Sequence, residues 1–149
     1  MQSRARSLFQ IYKTRVLQQN RFDSFFAKNL ELKEVSDEGN LVLSLNVTQE
    51  VCDYNGNLSN GAMSSIMDTT TGMPLWLLNT EKRMTLGVQL TVSFSGNARI
   101  GDEILIKAKC QRFEGDMGYT YGEAYNKDKV IATALHTVYL LGRKVQLGD

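Results

Sequence analysis

The stretch that decides the fold is residues 53–78, DYNGNLSNGAMSSIMDTTTGMPLWLL. Its first nine residues are polar and include Gly56 and Gly61, a composition typical of a loop. Residues 62–78 carry apolar side chains at three- and four-residue steps, which predicts one long helix. Because apolar residues cover nearly all sides of this helix, we expect other elements to cover it on most sides.

Local signals predict how this helix begins and where it is interrupted. Ser59 or Asn60 can act as the N-cap, since either side-chain oxygen can accept a hydrogen bond from a free amide of the first turn. Pro74 has no amide hydrogen to bond to Thr70, so the helix is expected to kink or to end its first half there.

The rest of the chain alternates apolar and polar residues with period two, which predicts strands. Residues 30–47 form a predicted hairpin around the turn 37–40, and four strands follow the helix: 86–94, 104–111, 119–125 and 130–141. Short connections favour antiparallel neighbours. The predicted order is therefore β-β-α-β-β-β-β, an α+β domain with its helix packed on one antiparallel sheet.

Length and composition exclude several classes of protein. The 149 residues fit one domain, and a net charge of +1 gives no indication of a nucleic-acid partner. The sequence contains no apolar run long enough to cross a membrane. Two cysteines, Cys52 and Cys110, favour a reducing, intracellular compartment. With one histidine, His136, a zinc site is not expected.

The N-terminal segment, residues 1–28, is treated as a basic amphipathic helical segment that precedes the main domain, residues 29–149. Residues 1–22 contain five basic residues and no acid, whereas the remaining chain has 12 basic and 16 acidic residues. This composition is shared by mitochondrial transit peptides and by surface helices that pack one apolar face on a domain. The second interpretation is preferred, and the location is expected to be mitochondrial or cytoplasmic.

Asp68 is out of place on the apolar helix, two turns inside it. One interpretation makes it a solvated residue on a polar strip with Ser64, Ser65, Thr69 and Thr71. The other makes it a carboxylate at a subunit contact or cleft, positioned to act as a base or a nucleophile. The pattern alone does not separate the two.

The element order, the glycine loop that leads into the helix, and the turn Ala98-Arg99-Ile100-Gly101-Asp102 resemble those of hotdog-fold acyl-CoA thioesterases. The most similar branch is the phenylacetate-pathway group that includes the mammalian thioesterase superfamily members. The similarity runs from Leu8 to Gly142 and includes Gly87-Val88 and His136-Thr137. It implies a hotdog fold, in which a long central helix is wrapped by an antiparallel sheet.

The motif of the active site agrees with this family in part. The family has an asparagine, a glycine three residues later and then His-Gly-Gly, and an acid follows on the helix. The matching positions here are Asp53, Gly56, Ser59-Asn60-Gly61 and Asp68. A serine that assists in the family's third strand is matched to Gln89.

The resemblance implies a mechanism for thioester hydrolysis. The amides of Asn60 and Gly61 would polarise the carbonyl, and Asp68 of the partner subunit would act as general base or nucleophile. Ser59 can form a hydrogen bond but cannot carry a proton as histidine does, so a slower enzyme is expected. No cofactor is implied, because coenzyme A is part of the substrate.

Coenzyme A is expected to lie along a groove of the dimer, with its phosphates near cations. The candidate binding residues are Gly56, Asn57, Arg99 and Lys109, and Lys107, Arg143 and Lys144 are further candidates. Tyr119, Tyr121 and Tyr125 could line an acyl channel, although such a row is more often sheet packing. His136 is interpreted as a hydrogen-bonded residue of the sheet.

Three functions follow from these expectations. The first is an acyl-CoA thioesterase that works as a homodimer or a dimer of dimers. The second is a hotdog subunit without catalysis, which binds acyl-CoA or forms part of a larger assembly, and the change to Ser59-Asn60 motivates it. The third, a dehydratase acting on acyl thioesters, is disfavoured because that chemistry pairs a histidine with a carboxylate and the only histidine is near the end of the chain.

Overall fold

In the part of the chain that the structure describes, two helices precede the first strand, and one long helix separates the second strand from the last four. The computed structural model describes residues 2–79, 81 and 83–144. The elements in chain order are α1 (Gln2–Gln18), α2 (Ser24–Ala27), β1 (Leu30–Val35), β2 (Leu41–Asn46), a 3-10 turn (Gln49–Val51), α3 (Asn60–Leu78), β3 (Arg83–Phe94), β4 (Glu103–Glu114), β5 (Met117–Asn126) and β6 (Lys129–Lys144). The predicted element order is confirmed.

The six strands of the described residues form one antiparallel sheet in the order β1-β2-β4-β5-β6-β3. The chain leaves β2 to form α3, continues into β3 at the opposite edge, and returns to pair β4 with β2. Helix α3 therefore lies across one face of the sheet and contacts β3, β4, β5 and β6. This is the hotdog arrangement that the resemblance implied.

Helix α3 packs closely on the centre of this sheet. Ile66, Met67 and Leu75 are fully buried. Gly122 on β5 permits the close approach, because a Cβ atom there would lie 2.5 Å from Thr71 Cγ2. One of the two expectations was that the helix ends at Pro74. The helix instead continues through Pro74 to Leu78. The buried residues on both sides of Pro74 hold the last turns against the sheet, and tertiary packing of this kind outweighs a missing backbone hydrogen bond.

Helix α1 packs against the domain and covers the edge of the sheet formed by β1. Phe9 belongs to the hydrophobic core, and Lys13 Nζ donates to the Leu30 carbonyl at 2.9 Å. Gln2 Nε2 donates to the Val35 carbonyl at 3.4 Å. The expected surface helix with one packed face is thus present. No helix among the described residues is long and apolar enough to cross a membrane.

Strand β3 forms the opposite edge of the sheet, and a bulge divides it. The register shifts between Gly87 and Gln89, so Leu90 and Val92 face the core while Leu86 and Val88 remain 55% and 57% exposed. The prediction of an uninterrupted alternation of buried and exposed side chains along this strand is therefore wrong for its first half. The edge presents apolar side chains to solvent in the single chain.

Candidate active site

The polar loop before α3 is organised by Asp53. Its Oδ1 atom accepts hydrogen bonds from the amides of Asn55 and Asn57, both at 2.9 Å, and Gly56 adopts a φ of +77°. The bond from the Asn57 amide is the main cause that lowers the pKa of Asp53. Asp53 is thus the residue that folds the loop, and both amides it holds belong to the loop itself.

The turn at residues 98–102 lies directly against this loop. The Ile100 amide donates to the Gly56 carbonyl at 3.0 Å, and Arg99 Nε donates to Asn57 Oδ1 at 3.4 Å. Three of the residues predicted to bind coenzyme A, Gly56, Asn57 and Arg99, are therefore brought together. The fourth, Lys109, extends over the Tyr121 ring on the face of the sheet away from α3, with Nζ 5.9 Å from the ring centroid.

Helix α3 begins at the end of the loop with two unpaired amides. Ser59, one of the two predicted candidates, is the N-cap, and its Oγ accepts from the Ala62 amide at 3.0 Å. The Met63 amide donates to the Ser59 carbonyl. Among the described residues, no acceptor bonds the amides of Asn60 and Gly61. These two donors, reinforced by the positive end of the helix dipole, can bind a partial negative charge.

Replacing Ser59 with Ala is expected to lower the free energy of unfolding by about 1 kcal/mol, because the Ala62 amide loses its acceptor. Denaturant unfolding of both proteins measures this difference. Ser64→Ala is the matched control, since the Ser64 hydroxyl only donates to the carbonyl of Asn60 within the helix. Equal unfolding midpoints for Ser59→Ala and the wild type would show that the cap is not needed.

Asp68 lies two turns further along α3, and its side chain is 56% exposed. Its Oδ1 atom is 3.3 Å from Nε2 of His136, whose ring is buried under the helix. Thr71, expected on a solvated strip with Asp68, is instead fully buried, and its Oγ1 lies 3.0 Å from His136 Nδ1. Burial lowers the pKa of His136, and the charge of Asp68 acts in the opposite direction.

The interpretation of His136 as a hydrogen-bonded residue of the sheet is correct for one nitrogen only. Nδ1 has Thr71 as its partner, but Nε2 forms no aligned hydrogen bond within the described residues. Sequence reasoning therefore missed the closest neighbour of Asp68. The available signal was that the last strand carries the only histidine of the chain at an inward-facing position.

Gly87, rather than Gln89, is the residue of β3 that faces Asp68 and His136. A Cβ atom on Gly87 would lie 3.5 Å from Asp68 Oδ1 and 2.9 Å from His136 Nε2. Gln89 pairs with Thr137, next to the pair Leu90 and His136, so its side chain points to the opposite face of the sheet. The bulge at Val88 causes this difference, which counting along the strand did not anticipate.

A second carboxylate approaches from the N-terminal segment. Asp23 Oδ2 accepts from Tyr12 Oη and from Thr69 Oγ1, both at 3.4 Å. Burial raises the pKa of Asp23, and Asp68 contributes in the same direction through its charge. The N-terminal segment thus extends to the residue next to Asp68, a contact that the sequence did not predict.

The tyrosine row of β5 packs against side chains of the sheet. Tyr121 and Tyr125 both donate to Glu123, at 2.8 and 2.5 Å. An apolar groove of about 580 Å³ lies elsewhere, between α1, the end of α3 and the start of β3. It is lined by Arg4, Ser7, Leu8, Ile11, Tyr12, Arg15, Val16, Trp76, Asn79, Arg83, Met84 and Thr85.

Two further predictions concern cations and metals. The side chains of Arg143 and Lys144, proposed as additional phosphate ligands, lie outside the described residues. Lys107 extends over the ring of Tyr125, with Nζ 4.8 Å from the centroid. In the part of the chain that the structure describes, no three His, Cys, Asp or Glu side chains are grouped so that they could hold a metal ion.

Comparison with known proteins gives the family. A model of the thioesterase superfamily matches residues 55–133, more than half of the chain, so the chain belongs to this superfamily. It is similar to zebrafish thioesterase superfamily member 2, with 21% identity, 91% of this chain and 97% of that chain covered, and a TM-score of 0.81.

Two bacterial structures are also similar. One is a hypothetical thioesterase from Streptococcus pneumoniae, solved with coenzyme A, with 18% identity, 79% and 93% coverage of this chain and that chain, and a TM-score of 0.71. The other is a Streptococcus mutans protein bound to acetyl-CoA, with 17% identity, 78% and 92% coverage, and a TM-score of 0.68. At these identities the structures establish the fold of the chain.

Proposed function

We propose that this protein hydrolyses acyl-CoA thioesters to a free acid and coenzyme A. The observation that carries the proposal is the pair of unpaired amides of Asn60 and Gly61 at the start of α3, on the same helix as the exposed carboxylate of Asp68. Membership of the thioesterase superfamily supports this chemistry.

In this proposal the two amides bind the thioester carbonyl oxygen, and the helix dipole stabilises the oxyanion that develops in the transition state. Because the donors belong to the backbone, Asn60 at a position where the family has glycine does not remove them. Asp68 removes a proton from the attacking water or attacks the carbonyl carbon itself. The coenzyme A thiolate then leaves.

One thioester cannot contact both groups within a single chain. Asn60 and Asp68 are eight residues apart on α3, which corresponds to about 12 Å along the helix axis. Both groups must lie about 3 Å from the reacting atoms. We therefore infer that each site combines the amides of one subunit with Asp68 of the partner subunit.

Strand β3 is the surface through which the two subunits associate in this proposal. It is a 12-residue edge strand with exposed Leu86 and Val88, whereas side chains of α1 cover the other edge of the sheet. A second copy that adds its β3 antiparallel by two-fold symmetry would bring both α3 helices side by side. A dimer of dimers can form from such pairs through other surfaces.

The double variant Leu86→Lys, Val88→Lys is expected to be a monomer at micromolar concentration, because like charges would face each other across the two-fold axis. Light scattering after size exclusion measures the mass, and the thiol-release rate should fall with it. Leu105→Lys, a charge on an exposed position of β4 away from this edge, is the control. A dimeric double variant would contradict the proposed interface.

In this proposal coenzyme A lies beside the loop and the 98–102 turn. Arg99 lies there with Gly56 and Asn57, close to the start of α3, and its guanidinium can pair with a phosphate. Two similar bacterial structures contain coenzyme A or acetyl-CoA, which supports a ligand of this class. Lys109 is less well supported, since it lies on the opposite face of the sheet.

The apolar groove along α1 is the proposed site of the acyl chain. Thr85 lines this groove and is the inward-facing residue that precedes Gly87 on β3. Because Gly87 lies beside Asp68, the groove begins one inward-facing position along β3 from the carboxylate. Its volume lies within the range of about 300–1,000 Å³ that is usual for small-molecule sites. An apolar lining of this size favours aliphatic acyl groups longer than acetyl.

A binding protein without catalysis is the second candidate. The hydroxyl of Ser59, at the position of the family's histidine, accepts from the Ala62 amide as the cap of α3 and cannot carry a proton as an imidazole does. Without catalysis, the same amides and groove would hold an acyl-CoA that is not hydrolysed.

A thiol-release assay with a series of acyl-CoAs, together with calorimetric binding, separates the two candidates. The proposal predicts turnover that increases from acetyl-CoA to longer acyl chains. Binding without turnover for every chain length would instead establish the binding protein. The absence of both binding and turnover would contradict both candidate functions.

A further inference from the structure

His136 holds a buried nitrogen without an aligned hydrogen bond, next to the carboxylate of the proposed site. The residue is 5% exposed, and Nε2 is 3.3 Å from Asp68 Oδ1. Nε2 forms no hydrogen bond within the described residues. Gly87, on the neighbouring strand, has no side chain that could supply one. A buried polar atom without a hydrogen bond lowers stability, so its presence at this position calls for an explanation.

The hydrogen bonds of Thr71 determine which ring nitrogen carries the hydrogen. Thr71 Oγ1 is 2.6 Å from the carbonyl oxygen of Met67, and a carbonyl can only accept, so the hydroxyl hydrogen is directed there. The same Oγ1 therefore accepts from His136 Nδ1 at 3.0 Å, which must be protonated. The neutral ring then has a bare Nε2, and this lone pair faces Asp68.

We propose that His136 is a positioning residue whose bare Nε2 accepts a hydrogen bond from Asp68 once that carboxylate has taken a proton from the attacking water. This inference rests on the thioesterase function proposed above, in its general-base form. It explains why a buried acceptor without a donor faces the carboxylate in the resting site. The donor is created by the reaction itself.

The protons balance in this sequence. The water oxygen bonds to the carbonyl carbon while its O–H bond breaks, and the proton passes to Asp68. The protonated carboxyl donates to Nε2 of His136 and is held in place for the next step. When the tetrahedral oxyanion collapses, the C–S bond breaks, and the proton moves from Asp68 to the coenzyme A sulfur.

The groups around Asp68 and His136 define the expected pH dependence. Burial lowers the pKa of His136, so the ring is neutral at pH 7 and above, and a lower pH adds a hydrogen to Nε2 and removes the acceptor. Asp23, near Asp68, accepts hydrogen bonds from the hydroxyl groups of Tyr12 and Thr69. Burial raises the pKa of both Asp23 and Tyr12. Thr120, opposite on β5, is uncharged and donates to the His136 carbonyl.

Nitrogen NMR of the wild type tests the tautomer without any activity measurement. His136 is the only histidine of the chain, so its ring signals need no assignment by mutation. The inference predicts a protonated Nδ1 and a bare Nε2 at pH 8. A ring protonated at Nε2 instead would overturn it, whether or not the protein hydrolyses thioesters.

Kinetics of His136→Asn and His136→Gln test the role. Asn retains a donor toward Thr71 but has no atom at the Nε2 position, whereas Gln can place an oxygen there. We expect kcat of His136→Asn to fall about tenfold with KM unchanged, because the protonated Asp68 carboxyl loses its acceptor. The acid limb should move to lower pH, because no imidazole remains to be protonated. Gln should restore part of the rate.

The controls separate this inference from the function on which it rests. Asp23→Asn should leave the shift between the wild type and His136→Asn in place, since Asp23 does not contact the ring. If Asp68→Asn abolishes turnover while His136→Asn keeps the kcat and pH profile of the wild type, the inference is wrong and the thioesterase stands. If the wild type has no turnover, both are wrong.

Discussion

Replacing Asp68 with Asn is expected to lower kcat for acyl-CoA hydrolysis by about 10²–10⁴-fold. The amide has nearly the same shape as the carboxylate but can neither take the proton of water nor attack the carbonyl carbon. The Asp68 side chain is more than half exposed, and its contact in the structure is with the neutral ring of His136, 3.3 Å away, so the fold should be retained. A thiol-release assay under saturating substrate measures the effect.

Asp128→Asn, in the exposed turn between β5 and β6, is the matched control and should have the rate of the wild type. Circular dichroism and light scattering of both variants establish that fold and mass are unchanged. An Asp68→Asn protein with full kcat would show that the hydrolysis does not depend on this carboxylate.

Replacing Asn60 with Pro is the second substitution with a large expected effect, a loss of about 10²–10³-fold in kcat. Proline removes the backbone hydrogen that is proposed to bind the carbonyl oxygen. Asn60 is the first residue of α3, a position where proline is favoured. Ser59 already has the extended conformation that precedes proline, with φ −70° and ψ 142°. The helix should therefore begin as before.

Asn60→Ala keeps the amide and loses only the side chain, so it is the control and should retain most of the activity. The thermal midpoints of the Pro and Ala variants should be similar to that of the wild type. Equal activity of the Pro variant and the wild type would exclude the Asn60 amide from the oxyanion site.

The arrangement of elements was predictable because each signal is local. The period-two pattern, the Ser59 cap and the loop glycines act over a few residues, and the structure has strands, helix start and loop where they indicated. Strand β3 is the exception. Its apolar residues alternate without a break from Leu86 to Phe94, but the bulge between Gly87 and Gln89 reverses the faces. Only the pairing with β6 determines that bulge.

The parts of the site that lie within short stretches of sequence were predictable. The loop, the turn at 98–102 and the acid on the helix follow from the motif and its spacing. His136 is 68 residues from Asp68 in the sequence, and its contact depends on how α3 crosses the sheet. Its side-chain environment, with one nitrogen bonded and the other bare, could not be read from residue type.

The account depends most on a site shared between two subunits, and complementation tests it directly. Asn60→Pro and Asp68→Asn chains, each inactive alone, are co-expressed in equal amounts. In randomly formed dimers, about one quarter of the sites combine an intact Asn60 amide from one chain with an intact Asp68 from the other. We predict that the mixture recovers about one quarter of the wild-type rate. A mixture no more active than either variant alone would contradict the shared site.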